Sequence, residues 1–453
     1  MPSRREILAA IGGVGTVPAT ARGGARTPTP DSPTTAWTRS YHDSSIIEAI
    51  RPVDDGYVLA GSGISAEDDY RGYVAKTTAT GRPRWQRLVG DSTSELGACA
   101  PHPDGGVVVV GATNIPEQSP VRERSPASDP WLVRLDASGD VVWSRTLQPS
   151  ASDGRINAVT RVADGYLVGG YRRTSEDSNV RPWLAHVSVD GHRRWARTVE
   201  SRAREGVVRD LGTTDDAWYV GGWKTTPESA AGESETAFVA RLDFDGDVQW
   251  RYAHEGRKQS RIAALQADGS GVVGVGNRRF SADDDGEGWH LRITANGTVD
   301  WQHSHSTGRW NWLDGMAAVD DGYLLVGTRE RSPEGTSDDG PRGAWVLDTG
   351  PTGRLNWETT YFDGESSGGY AIHPLGSNRF LVGGQTHTDD GDAGWLLNAG
   401  GTELETDSGA SGAVSDLVER IPPDADAVAL GAVLGGGAVT VGRRLLEEGR
   451  GDS

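Results

Sequence analysis

The chain has 453 residues and a formal net charge of −19, with 64 acidic and 45 basic side chains. A surface this negative excludes a general nucleic-acid-binding protein, which needs a basic patch. A single cysteine, Cys99, excludes intramolecular disulfides, thiolate zinc clusters and redox pairs.

The N-terminus has the features of an export signal. Arg4 and Arg5 precede an apolar run rich in glycine and alanine, and a sequence of small residues around Ala21 follows it. The pattern resembles a twin-arginine signal peptide over residues 1–21. The run is too short to span a bilayer well, so we expect no transmembrane segment. We therefore expect an extracytoplasmic protein, secreted or associated with the cell surface, with a disordered Pro- and Thr-rich linker over residues 22–35.

A tryptophan then recurs along most of the chain at intervals of 48–58 residues. A fixed period of this length indicates one supersecondary unit copied many times. The periodic tryptophans are Trp37, Trp85, Trp143, Trp195, Trp250, Trp301 and Trp357.

Each repeat contains four predicted strands, which we name A to D in chain order. An Asp/Gly step such as Asp55-Gly56 separates strands A and B, and a tight turn between two apolar runs is a strong hairpin signal. Strand C begins on an aromatic residue in most copies, and strand D ends on the periodic tryptophan. Each copy is thus predicted to be a four-stranded antiparallel meander, which is a blade of a β-propeller.

The strand count predicts an all-β protein with one propeller of eight blades over residues 36–446 and a disordered tail over residues 447–453. Three strands at 413–421, 427–434 and 437–446 would combine with the N-terminal strand around Trp37 to complete the eighth blade. This 3+1 arrangement closes the ring and leaves no open sheet edge. The alternative is seven blades followed by an unrelated tail.

The repeats resemble the tryptophan-docked repeats of the pyrroloquinoline-quinone-type (quinoprotein-like) propeller superfamily. Residues 75–85 follow the family spacing Ala-x-Asp-x-x-Thr-Gly-x-x-x-Trp, with Thr77 in place of the usual aspartate. The acidic composition, with only three lysines, resembles the proteins of salt-loving archaea. The family's quinone dehydrogenases use a vicinal disulfide over the cofactor. A chain with one cysteine cannot form it, and this argues against a bound pyrroloquinoline quinone.

Strand A of each repeat is expected to line the central channel of the propeller. Polar residues occupy about one register position in it, counted back from the Asp/Gly turn. A ring of mixed charge around a channel would suit a small ligand, although polar side chains also line water-filled channels. The candidate ligand-binding residues are Glu48, Asn157, Arg209, Arg261, Asp314 and Tyr370.

Three weaker candidates lie outside the channel. Acidic loops offer oxygen ligands for Ca²⁺ at Asp283, Asp285, Asp390 and Asp392, or are solvated, salt-adapted loops. His303 and His305 would place two imidazoles on one face of a strand, half of a metal site. Asn296 is in the single glycosylation sequon of the chain, on a predicted C–D turn.

No nucleophile elbow, phosphate loop or zinc helix occurs, and no catalytic residue is assigned. We therefore expect a monomeric exported propeller that binds an extracytoplasmic protein, glycan or surface component. The alternative is a propeller enzyme with a channel-centred site, either a quinone-dependent dehydrogenase or a polysaccharide-cleaving enzyme.

Overall fold

The structure is a computed structural model. It describes residues 32–43, 45–65, 69–90, 93–115, 128–147, 154–173, 179–200, 203–225, 235–254, 259–279, 286–306, 311–330, 340–376, 378–389 and 391–400. These residues belong to one compact unit, and residues 403–453 lie outside the described ranges. The predicted signal peptide and most of the linker also lie outside the described ranges and stay predictions.

All regular elements within these ranges are strands. In chain order they are β1 Thr35–Asp43, β2 Ile46–Val53, β3 Gly56–Ile64, β4 Tyr70–Thr78, β5 Pro83–Val89, β6 Glu95–Pro101, β7 Val107–Thr113, β8 Asp129–Leu135, β9 Val141–Thr146, β10 Gly154–Val162, β11 Gly165–Arg173, β12 Val180–Ser188, β13 Arg193–Thr198, β14 Gly206–Thr213, β15 Trp218–Lys224, β16 Thr236–Leu242, β17 Val248–Ala253, β18 Gln259–Asp268, β19 Gly271–Arg279, β20 Glu287–Thr294, β21 Val299–His305, β22 Asn311–Val319, β23 Gly322–Glu330, β24 Arg342–Thr349, β25 Leu355–Tyr361, β26 Ser366–Gly376, β27 Arg379–Thr388 and β28 Gly391–Ala399.

The strands pair into seven four-stranded antiparallel sheets in the described part of the chain. Blades 1 to 6 are consecutive meanders that begin at β2, β6, β10, β14, β18 and β22. Blade 7 contains β26, β27 and β28, and the N-terminal β1 pairs with β28 as its fourth strand. The first strand of each blade contacts that of the next, and β26 contacts β2, so the ring closes.

The seven-blade alternative is therefore confirmed, and the eight-blade interpretation is wrong. The 3+1 closure exists, but the three C-terminal strands of the closing blade are β26–β28 rather than the segments at 413–421, 427–434 and 437–446. Those segments lie outside the described residues. The sequence analysis gave the fourth-strand position of blade 7 to a segment after residue 400, where no tryptophan occurs. In the structure, the strand around Trp37 occupies that position.

The A–B hairpins show why strand B begins with a glycine. Gly56 has φ +154°, and a Cβ atom there would lie 1.9 Å from the carbonyl oxygen of Thr77 on the neighbouring strand. Any side chain would force the two strands apart, so the sheet keeps its register only with glycine at this position. Strand B is then buried on both faces between adjacent blades, as in β7, where every residue is buried.

The periodic tryptophans join neighbouring blades. The ring of Trp85 lies against Gly139 of blade 2, and the equivalent contact joins Trp37 of blade 7 to Gly81 of blade 1. Trp357 instead stacks on Phe380 of blade 7, with ring centroids 6.1 Å apart. The remaining pairs, each across one blade boundary, are Trp143 with Gly191, Trp195 with Gly246, Trp250 with Gly297 and Trp301 with Gly353.

No helix capable of crossing a membrane occurs among the residues that the structure describes.

Candidate axial binding site

The innermost strand of every blade carries a β-bulge at the same position. The register breaks, for example, between Ile47 and Ala49 in β2 and between Leu313 and Gly315 in β22. A bulge turns two successive side chains toward the same side of the sheet and is common beside functional sites. The residues at the seven bulges are Glu48, Gly97, Asn157, Arg209, Ala263, Asp314 and Tyr370.

All seven bulge residues line one cavity of about 520 Å³ on the propeller axis. This volume lies within the range of about 300–1,000 Å³ that is usual for small-molecule sites. The structure thus brings together five of the six predicted channel residues, namely Glu48, Asn157, Arg209, Asp314 and Tyr370.

The sixth, Arg261, does not line this cavity. Its guanidinium forms an ion pair with Glu235 and lies over the ring of Trp223, 5.3 Å from the centroid. The bulge position of blade 5 belongs to Ala263, two residues further along β18. The sequence analysis located the channel position by counting back from Asp268-Gly269. Strand B of this blade begins two residues later, at Gly271, so the channel position also lies two residues later than Arg261.

A network that sequence reasoning missed forms one wall of the cavity. Arg155, two residues before the bulge of blade 3, forms an ion pair with buried Glu95 of blade 2. Its Nε–H donates to Asn157 Oδ1 at 3.1 Å, and Asn157 Nδ2 donates to the Val208 carbonyl oxygen at 2.9 Å. These contacts fix the rotamer of Asn157 across two blade boundaries, which preorganises this wall.

Gly97 makes room for this network. A Cβ atom at Gly97 would lie 3.1 Å from Glu48 Oε2 and 3.5 Å from Arg155 Nη2. Arg155 Nη2 lies 3.9 Å from Glu48 Oε2, so the guanidinium faces two carboxylates, and their charges raise its pKa against the opposing effect of burial. The sequence analysis selected polar residues. It therefore found no channel residue in blade 2, where the bulge residue is a glycine.

Asp210 is a further cavity residue that the sequence analysis did not select. It directly follows the bulge residue Arg209, and its Oδ2 accepts a hydrogen bond from the backbone N–H of Leu265 in blade 5 at 2.7 Å. Burial raises the pKa of the Asp210 carboxyl above its usual value. The backbone hydrogen bonds from Leu265 and Leu211 and the charges of Arg51 and Arg209 oppose this rise.

The cavity is polar and nearly balanced in charge. Its acidic and basic residues come from five of the seven blades. Four carboxylates and three guanidinium groups give a net charge of −1 if all are ionised. They are Glu48, Glu95, Asp210 and Asp314, with Arg51, Arg155 and Arg209.

The calcium candidates are not gathered into a site. Asp283, Asp285 and Asp390 lie outside the described residues, and Asp392 Oδ1 lies 2.8 Å from Nδ1 of His387. Within the described ranges, no group of three or more His, Cys, Asp or Glu side chains is arranged to hold a metal ion. Calcium binding at these residues stays a prediction.

The other two candidates lie in blade 5. His305 Nε2 lies 3.1 Å from Nδ1 of His290, a buried imidazole on the neighbouring strand that the sequence did not single out. His303 Nε2 instead lies 3.0 Å from the Thr352 carbonyl oxygen. Asn296 is exposed on the C–D turn, as predicted from its position, and its glycosylation stays a prediction.

Comparisons with known proteins agree with this architecture. No protein-family model matches the chain, and the search of curated proteins found no match. Among solved structures, a polysaccharide lyase, ulvan lyase, matches with a TM-score of 0.54 and 10% identity over 85% of this chain and 100% of that chain. The same kind of lyase bound to a glucuronate–rhamnose sulfate fragment gives a TM-score of 0.52 and 10% identity, over 84% and 99% of the two chains.

Sqt1 from Chaetomium thermophilum matches with a TM-score of 0.45 and 14% identity, over 83% of this chain and 100% of that chain. The chain is a β-propeller. At these identities the similarity concerns the fold alone, so the propeller's ligand must be argued from its own cavity.

Proposed function

We propose that this protein is an exported binding propeller whose axial cavity holds a hydroxyl-rich sugar unit of an extracytoplasmic glycan. The observation that carries the proposal is the convergence of the polar bulge residues of blades 1, 3, 4, 6 and 7 on one cavity. Polar groups brought together from five separate segments of chain form a concave site that suits a small ligand.

The charges of the cavity favour a sugar over a strongly charged ligand. Carboxylates such as Asp314 accept hydrogen bonds, and guanidinium groups such as Arg209 donate them. A sugar hydroxyl does both, so a polyol can satisfy neighbouring groups of either kind. A multiply charged ligand would meet repulsion from one half of the lining.

The predicted export signal supports an extracytoplasmic ligand. The twin-arginine pattern at Arg4 and Arg5 and the acidic composition are those expected of a protein that works outside the cell in concentrated salt. The resemblance to quinoprotein-like repeats is compatible with this role, because the repeats specify the scaffold and the cavity lining specifies the ligand.

The test is a glycan array probed with the labelled mature protein and two matched variants. Asp314→Ala removes a bulge carboxylate, whereas Asp320→Ala removes an exposed carboxylate from the turn of the same blade. We expect the wild type and Asp320→Ala to share a set of bound glycans and Asp314→Ala to lose it. Equal binding by all three proteins, or no binding by the wild type, would overturn the proposal.

The same samples distinguish binding from catalysis. Incubation of each bound glycan with the protein, followed by measurement of new reducing ends, detects cleavage. We expect no increase over buffer. A time-dependent increase that Asp314→Ala abolishes would establish the alternative, a polysaccharide-cleaving enzyme at the same cavity.

A further inference from the structure

Blade 4 departs from the other six blades at one position of the cavity. The residue that directly follows the bulge residue is alanine or glycine in six blades and Asp210 in blade 4. The six small residues are Ala49, Ala98, Ala158, Ala264, Gly315 and Ala371. All of these except Ala158 line the cavity, as Asp210 does, so small residues leave room there and Asp210 adds a carboxylate.

The Asp210 side chain is held in place. Its carboxylate accepts hydrogen bonds from the backbone N–H groups of Leu265 in the next blade and of Leu211 in its own strand. A carboxylate has about four lone-pair sites, so two backbone donors leave acceptor capacity on a residue that lines the cavity. An acid fixed in this way loses less side-chain entropy when a ligand binds.

We propose that Asp210 is the specificity-determining residue of the axial cavity, where it accepts hydrogen bonds from sugar hydroxyls and excludes sugars that carry a carboxylate at that point. This inference rests on the proposed function, because it assumes that a sugar occupies the cavity. It adds a ligand class: neutral sugar units bind, and the corresponding uronates do not.

The selection has two physical sources. A hydroxyl donates to the carboxylate oxygens, whereas a uronate carboxylate offers only acceptors and repels the like charge. A ligand without a donor also leaves the buried acid with an unmet hydrogen bond, and sites of this kind discriminate strongly. Together these effects predict a preference for the neutral sugar of about tenfold to a hundredfold.

The substitution Asp210→Ala is well matched to the fold, because alanine occupies this position in five of the other blades. Asp210→Asn keeps the size and an oxygen acceptor for Leu265 but removes the charge. Asp215→Asn makes the same change on an exposed residue of the same blade and serves as the control. Thermal unfolding of all four proteins verifies that each is folded.

The experiment measures, by isothermal titration calorimetry, the affinity of each protein for neutral trisaccharides of glucose, galactose and mannose and for the uronate form of each. We expect the wild type and Asp215→Asn to prefer a neutral trisaccharide by tenfold or more. Asp210→Asn and Asp210→Ala are expected to reduce this preference to within about threefold, because the repelling charge is gone.

The outcomes separate the two proposals. If the wild type binds none of the six sugars, the proposed function and this inference both fall. If it binds a sugar and both Asp210 variants keep the wild-type ratio of neutral to uronate affinity, only the role of Asp210 is overturned. A change in unfolding temperature with an unchanged ratio would likewise reduce Asp210 to a structural residue.

Discussion

The indole ring of Trp85 lies so close to Gly139 of the next blade that a Cβ atom on the glycine would meet the ring at 2.8 Å. The indole Nε1–H also donates to the Ala137 carbonyl oxygen of the same turn at 3.1 Å. The periodic tryptophan thus packs directly against the turn glycine of the next blade. This contact explains why both recur along the sequence with the same period.

Gly139→Ala should destabilise the propeller more than the same change at a turn without a tryptophan. Gly139 has φ +85°, and Gly105 has φ +88° but nothing within 4 Å of its Cβ position. Both variants carry the cost of a left-handed alanine, about 1 kcal/mol. We expect Gly139→Ala to lose about 1–3 kcal/mol more than Gly105→Ala, measured by chemical denaturation. Equal losses of stability in the two variants would show that Trp85 can move away from the added methyl group without a cost in stability.

Asp348→Asn should stabilise blade 6 at neutral pH. On strand C, the residue opposite the periodic tryptophan is basic in blades 1, 2, 4 and 5. Each of these basic side chains forms an ion pair with an aspartate at the A–B turn of its own blade. The four residues are Lys76, Arg134, Arg241 and Arg292. In blade 6 this position is Asp348. Burial and the nearby charge of Asp321 raise the pKa of its carboxyl, against the hydrogen bond from Asn356.

An acid whose pKa is raised on folding destabilises the folded state as the pH rises above its ordinary, unfolded-state pKa, and the penalty is complete above the raised pKa. The gain from Asp348→Asn, up to about 1 kcal/mol, should therefore vanish as the pH falls toward the usual aspartate range. Asp348→Arg should stabilise at least as well, because it restores the ion pair of the other blades. Unfolding temperatures at neutral and acidic pH test this, and a destabilised Asp348→Arg would contradict the pairing.

His290 should make stability depend on pH. Burial, aided by His305 and His303, lowers the pKa of His290 to about 3 from an ordinary value of 6.5. Below the ordinary value the unfolded chain binds a proton that the folded protein does not. Stability is therefore lost as the pH falls from about 6.5 toward 3, by at most about 1.4 kcal/mol per pH unit. His290→Gln should flatten this slope, with His192→Gln, an exposed site, as control. An unchanged slope would contradict it.

Glu95→Ala should cost far more than the loss of a surface ion pair. Glu95 is buried, and its removal would leave the charge of the Arg155 guanidinium facing the more distant carboxylate of Glu48. Breaking a buried pair costs about 3–5 kcal/mol. The exposed pair of Arg197 and Asp247 offers the comparison, since Asp247→Ala should cost less than about 1 kcal/mol. Similar losses in denaturant would show that the pair at the cavity wall is not structurally important.

The sequence predicted the blade and its hairpins because each depends on local residues. The Asp/Gly turns, the aromatic start of strand C and the periodic tryptophan are all short-range signals. The number of blades was wrong because it depends on which strand β28 selects as its neighbour. That choice is a contact between residues more than 350 positions apart, such as Trp37 and Asn398.

The ring of channel residues was largely predictable for the same reason. One register count back from the Asp/Gly turn located the bulge residues Glu48, Asn157 and Asp314. It failed at Arg261, because Asp268-Gly269 lies two residues before the Ser270-Gly271 step that begins strand B, and at Gly97, where the bulge residue has no polar side chain. Arg155 and Asp210 were missed because their roles depend on neighbours in other blades.

The most direct test of the account is a crystal structure of the protein with a neutral trisaccharide that it binds. We expect density for a sugar ring on the propeller axis, within hydrogen-bond distance of the polar bulge residues Asn157, Arg209 and Asp314. A sugar bound only on the outer loops, with the axial cavity holding water alone, would contradict it.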